Sequence, residues 1–355
     1  MIMKKISLII IVLIISLLIF ATFTSKINPV TWEIAPNPGL IGDFKLNNKL
    51  AESNLILQGV GEGPEDIAQG PDGSFYTGYQ DGLIIRFSDD GEYTEFINTG
   101  GRPLGLEFDK DGNLIVADAI KGLLLITQES DIEILTDTVD GKKMIFVDDL
   151  DIAEDGTIWF SDASQRFGID ENIYTFYEGE RSGRLLSYNP HTKQTIVHLE
   201  DLFFANGVAL GPEDNFVLVN ETGTGVIHRL WLKGEKTGVT DIFFNGLPGN
   251  PDNITFNEKN TFWLGLAGIR TPVLDSLSQM PLLRKLLVGL LPINILTPPS
   301  NHGAIIGLTL DGNVRYNLQS TDGPFITTTC ALQVGNQLIV GSLKSDFVGI
   351  LPLDK

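Results

Sequence analysis

From residue 50 onward, short apolar runs alternate with tight polar turns, and helical periodicity is almost absent before residue 274. Short runs bounded by Gly, Asp and Asn predict an all-β body. Aligned on their turns, the runs fall into six similar units. Glu65-Asp-Ile-Ala leads to Pro71-Asp-Gly73 and Phe75-Tyr-Thr-Gly78. Leu104-Gly-Leu-Glu leads to Asp111-Gly112 and Leu114-Ile-Val-Ala117. Asp148-Asp-Leu-Asp leads to Asp155-Gly156 and Ile158-Trp-Phe-Ser161. Asn206-Gly-Val-Ala leads to Pro212-Glu-Asp214 and Phe216-Val-Leu-Val219. Asp252-Asn-Ile-Thr leads to Asn257-Glu-Lys-Asn260 and Phe262-Trp-Leu-Gly265. Cys330-Ala-Leu-Gln leads to Gly335-Asn336 and Leu338-Ile-Val-Gly341. Each is strand, tight turn, strand, and Asp-Gly and related pairs are what hairpins demand. Each continues into a further strand, such as Leu83-Ile-Ile-Arg-Phe87. A period of about 40 residues with four strands per unit predicts a six-bladed β-propeller over residues 50–355. A β-sandwich is the alternative, and six equivalent units argue against it. The sixth unit ends at Leu353 without an outer strand, so Ser53-Asn-Leu-Ile-Leu-Gln58 is expected to supply one and close the ring.

Two parts of the chain break this rhythm. Lys4 and Lys5 precede an apolar run from Ile6 to Phe23, near the lower limit of the roughly 17–25 residues that span a bilayer. No good cleavage site follows, so residues 1–25 are expected to form an uncleaved signal anchor and single transmembrane helix. Lys4 and Lys5 would lie in the cytoplasm and the propeller on the non-cytoplasmic side. A cleaved signal peptide is the alternative. Residues 26–49, with Pro29, Pro36 and Pro38, are expected to be an irregular tether. The second break is a pair of insertions, Ala163 to Gly183 and Ala267 to His302. Both follow second strands, and the end of a second strand lies on the same face of a blade as the start of the first. Both should therefore overhang one end of the channel. Pro281 and Pro292 bracket Leu282-Leu-Arg-Lys-Leu-Leu-Val-Gly-Leu-Leu291, which predicts a short helix over that face. It is either a helix packed on the propeller or a greasy lid that shapes an apolar pocket or touches a membrane. Tyr174, Phe176 and Tyr177 are placed to line the same mouth, and Arg166, Arg181 and Arg270 are expected at the surface.

Charge narrows the function. The 25 Lys and Arg against 45 Asp and Glu give a formal charge of −20. That argues against nucleic acid as a partner and suits attraction of cations. Cys330 is the only cysteine, so the chain has no internal disulfide and no thiolate metal site. The four histidines, His191, His198, His228 and His302, show no metal-ligand spacing, which weakens any zinc reading.

The residues expected to open the inner strands are Glu65, Leu104, Asp148, Asn206, Asp252 and Cys330, with Asn253 beside Asp252. In a propeller these starts meet around the axis although they are far apart in sequence. Several carboxylates facing one another in a narrow channel repel at neutral pH, and a bound cation resolves the conflict. Carboxylate and amide oxygens without imidazole or thiolate suit a hard ion, Ca²⁺ ahead of Mg²⁺. Singly, each residue also has a plain reading as a turn or capping residue.

The segments GPEDIA, VDDLDIAEDGTIWFSDAS, ANGVALGPEDNFVLVNET and GNPDNITFNEKNTFWLGL occur in that order. The chain they belong to resembles the strictosidine synthase-like family over residues 50–355, and within it the membrane-anchored branch of the adipocyte plasma membrane-associated type. Paraoxonases and the senescence marker protein/gluconolactonase group share the six-bladed fold. The resemblance implies a channel Ca²⁺ held by Glu65, Asp148, Asn206, Asp252 and Asn253. Three departures bear on activity. Leu104 stands where paraoxonases have a histidine, and Thr327-Thr-Thr-Cys330 lacks the glutamate of strictosidine synthase itself. Phe146 stands where sugar-lactone enzymes have an arginine.

The expected function is a membrane-anchored, Ca²⁺-dependent hydrolase of small apolar lactones or aryl esters. Asp252 or Asp148 would assist an attacking water, with Glu221 and Asp162 as secondary candidates. No Gly-x-Ser-x-Gly nucleophile occurs. The alternative is a non-catalytic propeller with structural Ca²⁺ that binds a lipid or protein partner.

Overall fold

A computed structural model describes residues 2–270, 272–297, 301–321 and 323–353. Six four-stranded antiparallel sheets are arranged as the blades of a propeller, with the inner strand of each packed against its neighbour. The inner strands are Ile67–Gln69, Pro103–Phe108, Val147–Ile152, Ala205–Leu210, Gly249–Phe256 and Thr328–Val334. Asn54–Ile56 pairs antiparallel with the last strand, Val348–Pro352, as the outer strand of the sixth blade. Closure by an N-terminal strand is thus as expected, and it ties the two ends of the ring together.

The core lies between blades rather than within one sheet. Second strands such as Leu114–Asp118, Ile158–Asp162 and Phe216–Glu221 are buried on both faces. That explains their nearly unbroken apolar runs. Gly265 shows how closely blades approach, because a Cβ there would lie 1.8 Å from the Thr329 carbonyl oxygen of the next blade.

The N-terminal helix, Ile2–Thr24, is long and apolar enough to cross a membrane and is almost wholly exposed. Residues 26–49 lack regular structure apart from a short turn at Gly42–Phe44 and the start of another, Lys49–Glu52, but they are strapped to the propeller. The Ala35 amide bonds the Thr224 carbonyl, the Trp32 ring meets Phe203 edge-on at 5.0 Å, and Phe44 enters the core of the fourth and fifth blades. The strap crosses the face that carries the two insertions. Short helices form there at Ile173–Glu178, Pro272–Leu277, Pro281–Leu290 and Ile293–Leu296. Thr271 and residues 298–300 of the second insertion lie outside the described residues. We call Pro281–Leu290 the lid helix. Its start at Pro281 fits the rule that proline is tolerated in a first helical turn.

Arg270 departs from the surface placement expected for it. It is buried and binds the carbonyls of Ala35 at 2.7 Å and Leu247 at 3.2 Å, pinning the strap. Arg166 and Arg181 are partly exposed and pair with Glu178 and Glu221.

Candidate functional site

In five blades the inner strand leaves its ladder at the same place. Pairing breaks between Pro103 and Leu106, Val147 and Leu150, Ala205 and Val208, Pro251 and Ile254, and Thr328 and Ala331. A break of this kind bends the strand and re-aims its side chains. Two residues are freed in each case, and Glu65 and Asp66 stand at the matching place before the first inner strand. The first positions are Glu65, Leu104, Asp148, Asn206, Asp252 and Thr329. For the sixth blade this corrects the expectation by one residue. Cys330 takes the second position, and Thr329 takes the first, donating its hydroxyl to the Glu65 carbonyl. The bulge shifts the phase, and apolar alternation does not reveal where a bulge lies.

The expected polar residues do converge. Glu65, Asp148, Asn206, Asp252 and Asn253 are all buried. The Asn253 Nδ2 donates to Glu65 Oε2 at 3.2 Å. Burial raises the Asp252 carboxyl to about 7, and hydrogen bonds with the Asn206 and Glu65 side chains oppose the rise. Burial, then the charges of Asp252 and Asp148, hold Glu65 well above the usual carboxylate range. Burial and Asp252 do the same to Asp148. These are carboxyls from the first, third and fifth blades whose charges act on one another.

Arg102 was not singled out by the sequence. It is buried, donates to the Gly63 carbonyl at 3.1 Å, and its charge opposes the upward shift of Glu65 and Asp148. Its other terminal nitrogen has no hydrogen-bond partner. The Asp118 carboxylate holds the Arg102 amide at 3.0 Å and so fixes the loop. The guanidinium thus offsets part of the local negative charge.

The second freed positions form a structural ring. Asp66 accepts the Leu106 amide at 2.9 Å, and Asp149 accepts the Val208 amide at 2.8 Å. Each carboxylate reaches across to the residue after the glycine of the next blade, Gly105 or Gly207. A Cβ on Gly105 would lie 2.8 Å from Asp149, so the glycine makes room for the latch. Burial pushes Asp66 up to about 6 and Asp149 well above its ordinary value.

The mouth above the central group is apolar. Leu104 and Phe146 pack with Phe203 and Phe204, and Trp32 and Phe176 close over them. The Phe146 and Phe204 rings meet edge-on at 5.1 Å, and Phe176 lies 4.9 Å from Phe204. Tyr174 packs beside Ile27 and Val288, and Tyr177 donates to the Leu296 carbonyl. Tyr174, Phe176 and Tyr177 therefore all serve the covering layer, as does Phe167, which packs on Tyr174. The secondary candidates are engaged by cations, although Asp162 stays near enough for its charge to raise Asp148. Asp162 pairs with Arg184, and Glu221 binds Arg181 and His228. A cavity of about 560 Å³ between Lys110, Glu154, Trp159 and Lys233 lies at the opposite face, away from these groups.

A strictosidine synthase family model matches residues 148–235, and a strictosidine synthase-like N-terminal model matches residues 42–87. The STRICTOSIDINE SYNTHASE-LIKE 4 protein of Arabidopsis thaliana is 34% identical over 320 residues, spanning 87% of this chain and 85% of that protein. The chain belongs to the strictosidine synthase-like family. Within it, the adipocyte plasma membrane-associated protein of Rattus norvegicus is 31% identical over 353 residues, which is 93% of each chain. Among solved structures, a gluconolactonase of Xanthomonas campestris superposes with a TM-score of 0.63 at 15% identity, over 92% of this chain and 99% of that one. A calcium-binding regucalcin of Agrobacterium tumefaciens gives 0.58 at 14%, over 87% and 94%. At these identities the likeness establishes the propeller fold.

This strictosidine synthase-like chain meets a hard cation in donor chemistry. Like several other buried side-chain oxygens, Asp162 Oδ1 and Asn220 Oδ1 among them, Asp148 Oδ2, Asn206 Oδ1 and Asn253 Oδ1 have no hydrogen-bond partner. They come from the third, fourth and fifth blades. Among the described residues, no three side chains drawn from His, Cys, Asp and Glu form a metal-ligand group. Two of the three orphaned oxygens belong to amides, so the fit rests on mixed donors of the kind Ca²⁺ accepts. The asparagines of the two Asn-x-Thr sequences, Asn220 and Asn253, are fully buried and closed to glycosylation in the folded chain.

Proposed function

We propose that the protein is a membrane-anchored, Ca²⁺-dependent hydrolase of small apolar lactones or aryl esters. The observation that carries this reading is the set of orphaned oxygens of Asp148, Asn206 and Asn253 beside buried Glu65 and Asp252. Those five side chains would hold the ion. Bound there, Ca²⁺ would supply Lewis-acid polarisation of a substrate carbonyl. Asp252, with Asp148 opposite, takes the proton of the attacking water. The Asn206 amide orients the Asp252 carboxyl, and Glu65 is held by the Asn253 amide. Arg102 counters the charge left on the carboxylates. Leu104, Phe146 and the aromatic cover exclude bulk water and favour an apolar acyl or alcohol group over a sugar acid. Condensation of an amine with an aldehyde is not favoured, because Thr327–Cys330 offers no acid at the start of the last blade. Lys4 and Lys5 before the helix support a propeller on the non-cytoplasmic side.

A second reading, a non-catalytic propeller with a structural ion, is favoured by the same aromatic cover, which fills the mouth with side chains. Phenyl acetate and a panel of lactones, offered with and without chelator, separate the two. Chelator-sensitive turnover that disappears in Asp252→Ala supports the hydrolase. Unchanged turnover of the pure variant defeats it. A chelator effect on melting temperature alone supports the structural ion.

A further inference from the structure

The lid helix is held by one side and exposes the other. Arg284 and Val288 face the protein and are buried. Leu282, Leu283 and Leu290 are exposed, and Leu291 and Ile295 continue the apolar surface beyond the helix. Positions 282, 283 and 290 fall within about 100° of one another on the helix, opposite the packed face. Elsewhere on the propeller, exposed large apolar residues are scattered, as is ordinary for a soluble surface.

This apolar face adjoins the N-terminal helix. Gly289 packs so tightly on it that a Cβ would lie 1.9 Å from the Ala21 carbonyl oxygen. The Thr24 hydroxyl donates to the Gly289 carbonyl at 2.9 Å, and Ala21 is fully buried. Ala21 is three residues from the end of the helix at Thr24, a distance of about 4.5 Å along the axis. Helices that lie in a membrane interface sit about 5–10 Å into the headgroup and acyl boundary. If the N-terminal helix spans a bilayer, the lid helix is carried to that depth. Lys285 stands beside the exposed leucines with its ammonium near Asn28, placed to reach headgroup phosphates.

We propose that the lid helix and residues 291–295 are embedded in the bilayer surface beside the chain's own anchor. The lid covers the face where Glu65, Asp148, Asn206 and Asp252 open their strands. The channel mouth is therefore turned toward the membrane, and its ligand arrives from the lipid phase. The inference depends on the helix crossing the membrane and not on the site being catalytic.

The test uses the full chain in phosphatidylcholine vesicles. Cys330 is buried, so a fluorophore can be placed selectively on Leu282→Cys, Leu290→Cys, Leu13→Cys or Lys193→Cys. Labels at 282 and 290 are expected to be quenched severalfold by lipids spin-labelled high on the acyl chain, and to be shielded from aqueous iodide. The label at 193, on the outer edge of the third blade, is expected to show the reverse. The label at 13 reports insertion of the anchor, and its failure to meet lipid quencher would remove the premise. With 13 quenched, iodide access at 282 and 290 equal to that at 193 would overturn the proposal. Shielding from iodide without lipid quenching would also overturn it, assigning the face to another protein copy.

Discussion

Arg284 is a cation buried among carbonyls, and its removal should loosen the lid while sparing the propeller. The side chain is 1% exposed. Its terminal nitrogens donate to the carbonyls of Tyr177 at 2.6 Å, Glu178 at 3.1 Å and Val30 at 2.5 Å. The guanidinium also lies 4.3 Å from the Trp32 ring centre. It therefore joins the lid helix, the first insertion and the strap. Burial pulls its pKa down to about 10, which leaves it charged at neutral pH. Each bond from a charged donor is worth about 1.5–3 kcal/mol. Removing the buried charge recovers several kcal/mol of desolvation. The balance for Arg284→Met is a loss of about 3 kcal/mol in the lid. At about 1.4 kcal/mol per factor of ten, the open fraction rises about a hundredfold. The lid helix packs chiefly on the N-terminal helix and the helix of the first insertion rather than on blade strands, so the loss is local. Hydrogen exchange across residues 272–297 should speed up about a hundredfold, with the blade amides and the melting temperature almost unmoved. Lid exchange like that of the parent would refute the reasoning, and so would a melting temperature lowered by many degrees.

Other expectations follow from single contacts. Asp149→Ala strands the buried Val208 amide and should lower stability by about 2–4 kcal/mol in a denaturant melt; Asp149→Asn should restore most of it, and equal loss in both would reject the latch. Gly265→Ala drives a methyl into the Thr329 carbonyl and should cost about 1–3 kcal/mol or more, with wild-type stability as the contrary result. Burial raises Glu107 to about 8 and Asp151 to about 7. Their unfolded values lie near ~4, so the folded state holds extra protons between about pH 4 and 8. The stability these groups contribute is complete at low pH and is lost as pH rises through their folded values. In chelator, the double variant Glu107→Gln, Asp151→Asn should therefore lose less melting temperature than the parent between pH 5 and 8. A steeper fall in the variant would reverse the sign.

Much of this fold is legible in the chain because a blade repeats its own turn chemistry. Pro71-Asp-Gly73, Asp111-Gly112 and Asp155-Gly156 mark successive hairpins, and the missing outer strand after Leu353 points to residues near 54. The central residues could be gathered because the repeat fixes which strand starts meet. What stayed hidden depends on packing between blades. Asp66 and Asp149 look like turn acids in sequence, and only the bulge shows that each bonds the next blade. The same bulge moves Thr329, not Cys330, into the first position. The strap carries no periodicity, so nothing local announces that Trp32 and Phe44 are anchored or that Arg270 is buried. Arg284 sits beside Lys285 in an apolar helical stretch where such a pair reads as solvent-facing, yet the Arg284 partners include carbonyls from two distant segments.

The central claim is that side chains from separate blades share one hard cation. Calorimetric titration of Ca²⁺ into the full chain, beside Asp148→Asn and Asn206→Leu, tests it most directly. One ion per parent chain is expected, with at least a tenfold loss of affinity in each variant, although the two positions lie on different sheets. Absence of binding by the parent, or variants that bind as the parent does, would contradict it.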